Sequence, residues 1–177
     1  MNVLNCPFTE DEILKNVKLL KSGKATGRDK IKNEYISSTF HIFKEIYISL
    51  FNKILDEGFM PEEWLIGLIM PIPKSGDPRN PDNTRGITLL SCMGKLFTSL
   101  LNSRLVRFAE IVKLINENQT GFRPGYGTID HIFLLRCLID IYFSKNRKLY
   151  CAFIDYKKAF DTIWRAGLWI KMVNNGK

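Results

Sequence analysis

The chain has no Cys-x-x-Cys pair, only two histidines, no long uncharged apolar run, no internal repeat and no low-complexity tract. Each absence narrows its chemistry. The four cysteines stand at 6, 92, 137 and 151, and His41 and His131 complete no zinc pattern with them. That spacing argues against a zinc site and a disulfide scaffold, and for buried, reduced thiols in an intracellular protein. A bilayer-spanning helix needs ~20 mostly apolar residues. The richest run here, Ile129 to Phe143, is broken by Asp130, Arg136 and Asp140 and reads as a core helix. Glu10, Asp11, Glu12 and Lys15 make the start too charged for a signal peptide. No Asp-Asp dipeptide occurs anywhere.

What is present is a folded, basic chain. Its 177 residues are enough for one domain, or one and a fraction, with a real core. A hydrophobic content of 45% and twelve phenylalanines exclude a disordered chain. The net charge of +8, from 26 basic and 18 acidic residues, favours a polyanionic partner.

Thr9 and Glu12 form a capping box, with Phe8 and Ile13 spaced as a hydrophobic staple. Ile13, Leu14, Val17 and Leu20 continue the stripe, and Gly23 ends the predicted helix. Lys21 to Lys32 reads as a basic loop. A second helix, from about Glu34 to Glu57, is expected to bury Ile36, Phe40, Phe43, Tyr47, Leu50, Phe51 and Ile54, with Gly58 and Pro61 closing it. Trp64 to Pro73 reads as a strand, held to an edge by its prolines. A polar loop over 74–85 leads to a short returning strand at Gly86 to Leu89. Ser91 caps a long helix marked by Leu96, Phe97, Leu100, Leu101, Leu105, Phe108, Ile111 and Val112. The glycine-punctuated loop Gln119 to Gly127 follows, and Thr128 caps the next helix. Leu149 to Asp155 reads as a buried strand ending on a carboxylate, and a last helix begins near Asp161 or Thr162. Helices alternating irregularly with few strands give an α+β class, with no linker between independent domains.

Several segments together resemble one family. The run Phe153-Ile154-Asp155-Tyr156-Lys157-Lys158-Ala159-Phe160-Asp161 is similar to the first catalytic motif of reverse transcriptases from non-LTR, LINE-type retrotransposons. Lys24-Ala25-Thr26-Gly27-Arg28-Asp29 resembles the family's K-A-x-G-x-D loop, with Lys30 where glycine is usual. Pro71-Ile72-Pro73-Lys74 and Gly76-Asp77 resemble its strand and basic loop. Arg85-Gly86-Ile87-Thr88-Leu89-Leu90 is similar to R-P-I-S-L-L, with Gly86 replacing proline. Gln119-Thr120-Gly121-Phe122-Arg123-Pro124-Gly125 resembles Q-x-G-F-R-x-G. The elements stand in the family's order along nearly the whole chain. Group II intron maturases and telomerase share the fold, but these spellings fit non-LTR elements better.

The resemblance implies an incomplete right-hand polymerase fold. Residues 1–145 would be mainly fingers with interleaved palm elements, and 146–177 the start of the palm. It implies an RNA-directed DNA polymerase that extends a DNA primer on an RNA template with deoxynucleoside triphosphates, without a membrane and in the nucleus. Two Mg²⁺ ions would clamp the attacking and leaving oxygens. Asp155 takes the position of the metal-binding aspartate, and the backbone carbonyl of Tyr156 that of its neighbouring ligand. Lys74 and Arg85 match the fingers residues that grip the triphosphate. Phe160 matches the aromatic gate that excludes a 2′-hydroxyl by volume. Gln119, Gly121, Phe122 and Arg123 match the loop beside the template, and Lys24 and Arg28 lie in a basic cluster suited to template phosphates. Asp161 more naturally caps a helix than binds metal. The family's second carboxylate motif, Tyr-x-Asp-Asp, and the thumb are both missing. One carboxylate cannot hold two ions, so the isolated chain is expected to be inactive. Without the rest of the palm an unpaired strand edge and apolar surface are exposed, so it is also expected to be poorly soluble. A non-enzymatic nucleic-acid-binding module derived from a retrotransposon is the competing reading.

Overall fold

The computed structural model of the chain describes residues 2–77, 79–80, 83–156, 159–160 and 162–175. It divides into two compact units, Met1–Phe108 and Ala109–Lys177.

In the first unit a single turn, α1 (Asn2–Asn5), leads to α2 (Glu10–Lys18). Thr9 Oγ1 accepts the Glu12 N–H at 3.3 Å, and Phe8 and Ile13 are both buried, so cap and staple form as the spacing predicts. The helix stops before Gly23. The N–H groups of Leu19 and Leu20 turn back onto the carbonyls of Asn16 and Val17, a tighter turn that uses up the helix end.

The long helix α3 (Asn33–Glu57) ends at Gly58, whose left-handed backbone donates its N–H to Ile54. Pro61 does not close it. Instead it opens a further turn, α4 (Glu62–Leu65). Non-helical angles at Phe43 break α3, so Phe43 leaves the buried stripe and lines a shallow groove with Tyr35, Ile46 and Met93. Ser91 Oγ accepts the Gly94 N–H at 3.2 Å and caps α5 (Cys92–Ile111), which carries the boundary between the units in its last turn.

The core of the first unit lies where Phe8, Ile13 and Val17 meet Ile36, Phe40, Phe51 and Ile54 of α3 and Leu96, Phe97 and Leu100 of α5. Phe97 is its aromatic centre, with ring centroids 6.0 Å from Phe8, 5.7 Å from Phe51 and 6.3 Å from Trp64. The outer end of α5 is less buried than its periodicity predicts, with Leu105 and Ile111 exposed. The buried Asn16 links α2 to α5. Its Oδ1 accepts from Ser99 and Ser103, and its Nδ2 donates to the Glu12 carbonyl. Arg104, also buried, pairs with Glu12, donates to the carbonyls of Leu4, Cys6 and Pro7, and stacks on Phe8 at 4.0 Å.

β1 (Leu68–Pro73) and β2 (Thr84–Leu89) form a two-stranded antiparallel sheet. β1 starts four residues later than the apolar run suggests, because Trp64 belongs to α4 and packs on the core. Pro71 faces Gly86 and Pro73 faces Thr84. Both strands are edges, which is where a proline-bearing strand is tolerated.

The second unit contains α6 (Thr128–Ser144) and α7 (Arg165–Asn175). Gly127, not Thr128, is the N-cap of α6, and the Asp130 carboxylate accepts its N–H at 2.7 Å. α6 is not a core helix. None of its residues is buried, and Ile129, Ile132, Phe133 and Phe143 are each well over half exposed. An apolar helix is buried only when neighbours surround it, and the described residues of this unit do not supply them. The expected buried strand at Leu149 to Asp155 is likewise absent. The segment is irregular, with Tyr150, Phe153 and Ile154 exposed. Apolar composition makes a segment suitable for a sheet, but a strand exists only with a partner for its N–H and C=O groups, and no described residue provides one. The thiols also depart from expectation, since Cys92 is buried but Cys6 and Cys151 are exposed. Among the described residues, no helix is long and apolar enough to cross a membrane.

Candidate functional site

The β1–β2 hairpin brings together two of the predicted contacts. Arg85 sits directly opposite Ile72. The Lys74 N–H donates to the Asn83 carbonyl at 2.8 Å, extending the ladder by one pair. Side chains two apart share a face, so Lys74 and Arg85 are diagonal neighbours on one side of the hairpin, ~7–8 Å apart at the backbone. Both are exposed, and neither forms an ion pair among the described residues. The connecting loop is fastened from within. Asp77 accepts the Arg79 N–H at 2.9 Å, and the Asn83 amide donates to the Asp77 carbonyl at 3.1 Å. Two exposed cations thus stand at the base of a stapled loop.

The basic loop of the first unit is anchored at both ends. Asn33 donates to the Lys21 carbonyl at 2.8 Å, and Glu34 accepts the Gly23 N–H at 2.6 Å. That hydrogen bond holds the Glu34 carboxyl below the ordinary carboxylate range. Gly27 is buried against the backbone of Leu90 and Ser91, and a Cβ there would lie 2.5 Å from the Ser91 nitrogen. This close approach seats the loop on the end of β2 and the start of α5, while Lys24 and Arg28 stay exposed. Lys30 adopts a left-handed φ of 58°. Asp29 supports that turn by accepting the Ile31 N–H at 3.2 Å.

The second unit holds the remaining candidates. Arg123 is largely buried, and α5 and its own loop engage its guanidinium. Its Nε and Nη2 pair with the two carboxylate oxygens of Glu110 at 2.9 and 2.8 Å, and its Nη1 donates to the carbonyls of Gln119 and Asn116 at 3.1 and 3.3 Å. Its guanidinium also lies over the Tyr126 ring at 4.8 Å. The pair holds the Glu110 carboxyl below its ordinary value and raises that of Arg123. Gln119 and Gly121 are exposed. Phe122, at a left-handed φ of 62°, is 94% exposed, and its ring meets Phe160 edge to face at 6.3 Å. Phe122 and Phe160 are thus brought together.

Asp155 and Tyr156 are exposed, on the irregular segment instead of a rigid strand end. Among the described residues, no three His, Cys, Asp or Glu side chains converge to hold a metal ion. The donors among the described residues therefore do not by themselves fit a pair of Mg²⁺ ions. Asp161 lies outside the described residues. Glu110 escaped sequence reasoning. It lies thirteen residues before its partner, in the last turn of another element, and no motif marks it.

Residues 72–175 match the family described as "Reverse transcriptase (RNA-dependent DNA polymerase)". The chain belongs to the reverse transcriptase family. Among its relatives, the "Probable RNA-directed DNA polymerase from transposon X-element" of Drosophila melanogaster is 33% identical over 170 residues, covering 94% of this chain and 18% of that protein. The "RNA-directed DNA polymerase from mobile element jockey" of the same organism is 31% identical over 92% of this chain and 18% of its own length. A type-1 retrotransposable element R2 polyprotein of Popillia japonica is 34% identical over 60% of this chain and 14% of its own length. The likeness to non-LTR retrotransposon sequences read from the motifs is borne out. This reverse transcriptase chain spans about a fifth of the length of the first two relatives.

Proposed function

We propose that the chain supplies the nucleotide- and template-gripping part of an RNA-directed DNA polymerase, which extends a DNA primer on an RNA template in the nucleus. The observation that carries this reading is the hairpin. It sets Lys74 and Arg85 on one face with no anion committed to either among the described residues. A triphosphate suits that pair. Arg85 offers a planar fork for bidentate contact, and Lys74 a mobile point charge.

In this reading, Lys24 and Arg28 follow template phosphates, and the loop carrying Gln119, Gly121, Phe122 and Arg123 lies beside the templating base. Phe160 presents an exposed ring to the sugar and excludes a 2′-hydroxyl by its bulk. Asp155 and the Tyr156 carbonyl are the ligands this chain offers to the two Mg²⁺ ions of a palm. When bound, those ions would neutralise charge on the transferred phosphoryl group. The chain contains no Asp-Asp motif to complete their coordination. It therefore binds substrates, and transfer requires carboxylates outside residues 1–177.

The test is to titrate the chain with a labelled primer–template, with and without a matched deoxynucleoside triphosphate, and to run primer extension with Mg²⁺. Salt-sensitive binding that the matched nucleotide tightens is expected, with the tightening lost in Arg85→Ala and Lys74→Ala. Template-directed synthesis by the isolated chain overturns the proposed division of labour. A non-enzymatic binding module is the second reading, favoured by the lack of a converging metal site among the described residues. That module would bind nucleic acid with no response to nucleotide.

A further inference from the structure

Arginine in a nucleic-acid loop ordinarily points to a phosphate contact. The geometry here directs Arg123 elsewhere. A guanidinium has five N–H donors. Arg123 aims Nε and Nη2 at Glu110 and Nη1 at two carbonyls of its own loop. A forked contact to phosphate would have to displace a bidentate carboxylate, a strong charge-assisted partner. Its neighbour is in the opposite condition. Phe122 makes its edge contact with Phe160 and is otherwise turned to solvent, on a left-handed backbone that a bulky residue adopts only when its surroundings impose it. The surroundings are the clamp itself. On one side Arg123 holds the Gln119 carbonyl, and on the other its own N–H is bonded to Thr120 at 3.3 Å.

We propose that Glu110 is a positioning residue for nucleic-acid binding. Its carboxylate locks Arg123 inside the loop, and the lock presents Phe122 as a stacking platform for an unpaired base. The inference rests on reading this loop as the template loop. Every planar base has a face to stack, so the contact is indifferent to sequence. It carries no charge, so it adds nothing to the salt dependence, which counts phosphate contacts.

The experiment measures anisotropy of a labelled oligouridylate bound to the full chain at several salt concentrations, alongside limited proteolysis within 112–127. Phe122→Ala is expected to weaken binding about tenfold and leave the slope of affinity against salt unchanged. Glu110→Gln is expected to weaken binding at the same slope and to speed cleavage of the loop. Exchanging the pair, Glu110→Arg with Arg123→Glu, should restore affinity and protection. Tighter binding with a steeper slope in Glu110→Gln overturns the proposal, because it shows Arg123 released to a phosphate. Unchanged affinity in Phe122→Ala also overturns it. If cleavage responds to Glu110→Gln while every variant binds like the wild type, the template-loop reading itself falls, although the clamp is real. No binding by the wild-type chain overturns both.

Discussion

Lys30 and Arg104 show how single residues carry consequences that composition does not reveal. Lys30 holds a φ of 58°, in the left-handed region that favours glycine. A left-handed backbone costs a residue with a Cβ roughly 1–2 kcal/mol, whereas glycine's extra freedom when unfolded returns roughly 0.5–1 kcal/mol of that. Lys30→Gly should therefore raise stability by up to about 1 kcal/mol, read as a higher urea midpoint at an unchanged slope. Arg104 works in the opposite sense. It neutralises Glu12 with two short contacts and gathers the carbonyls of Leu4, Cys6 and Pro7. Arg104→Ala leaves Glu12 and those carbonyls without their donor, a loss of about 3 kcal/mol for a mostly buried pair. Thermal unfolding should show it, and exchange of the amides of residues 4–8 should rise most.

Among the elements, the clamped loop after α5 is expected to respond to pH. Arg123 holds the Glu110 carboxyl below its ordinary value of 4.5, so the folded loop prefers the ionised form. The stabilisation is complete above pH 4.5 and is lost as pH falls through the lowered folded value. Protection of 112–127 from proteolysis should hold at pH 5 and collapse in stronger acid, with Glu110→Gln already open at pH 5. The acid-stable protease pepsin suits this measurement. The same loop shows what the sequence could reveal. Thr9, Glu12, Phe8 and Ile13 announced α2 because a cap and a staple are local interactions. Gly58 marked the end of α3 for the same reason. The hairpin was visible from its prolines and polar loop. Arg123 was visible as a motif residue, but its partner was not, because a carboxylate thirteen residues back, in another element, carries no local signal until the chain folds. The reading of Leu149 to Asp155 as a strand failed on the same ground. Alternating apolar residues describe one strand, and pairing depends on a second segment somewhere else.

For the whole molecule, the contrast lies between a first unit with a packed aromatic core and a second unit whose apolar side chains face outward. Ile132, Phe133 and Phe143 on α6, with Phe153, Ile154 and Trp164 beyond it, expose apolar surface on a scale that promotes association. Replacing Ile132 with Glu and Phe133 with Lys should raise the monomeric fraction in size-exclusion chromatography without lowering the melting temperature, since neither side chain is buried. A fall in melting temperature would show that α6 packs in solution.

The locked loop has a kinetic consequence. Between positions 110 and 127, Lys113 and Arg123 balance Glu110 and Glu117, so this stretch exerts no net pull on a distant polyanion. Capture is then governed by the exposed cations elsewhere, and its speed falls as salt is added. The ring of Phe122 acts only after contact. Its removal should shorten the lifetime of the complex and leave the rate of encounter unchanged.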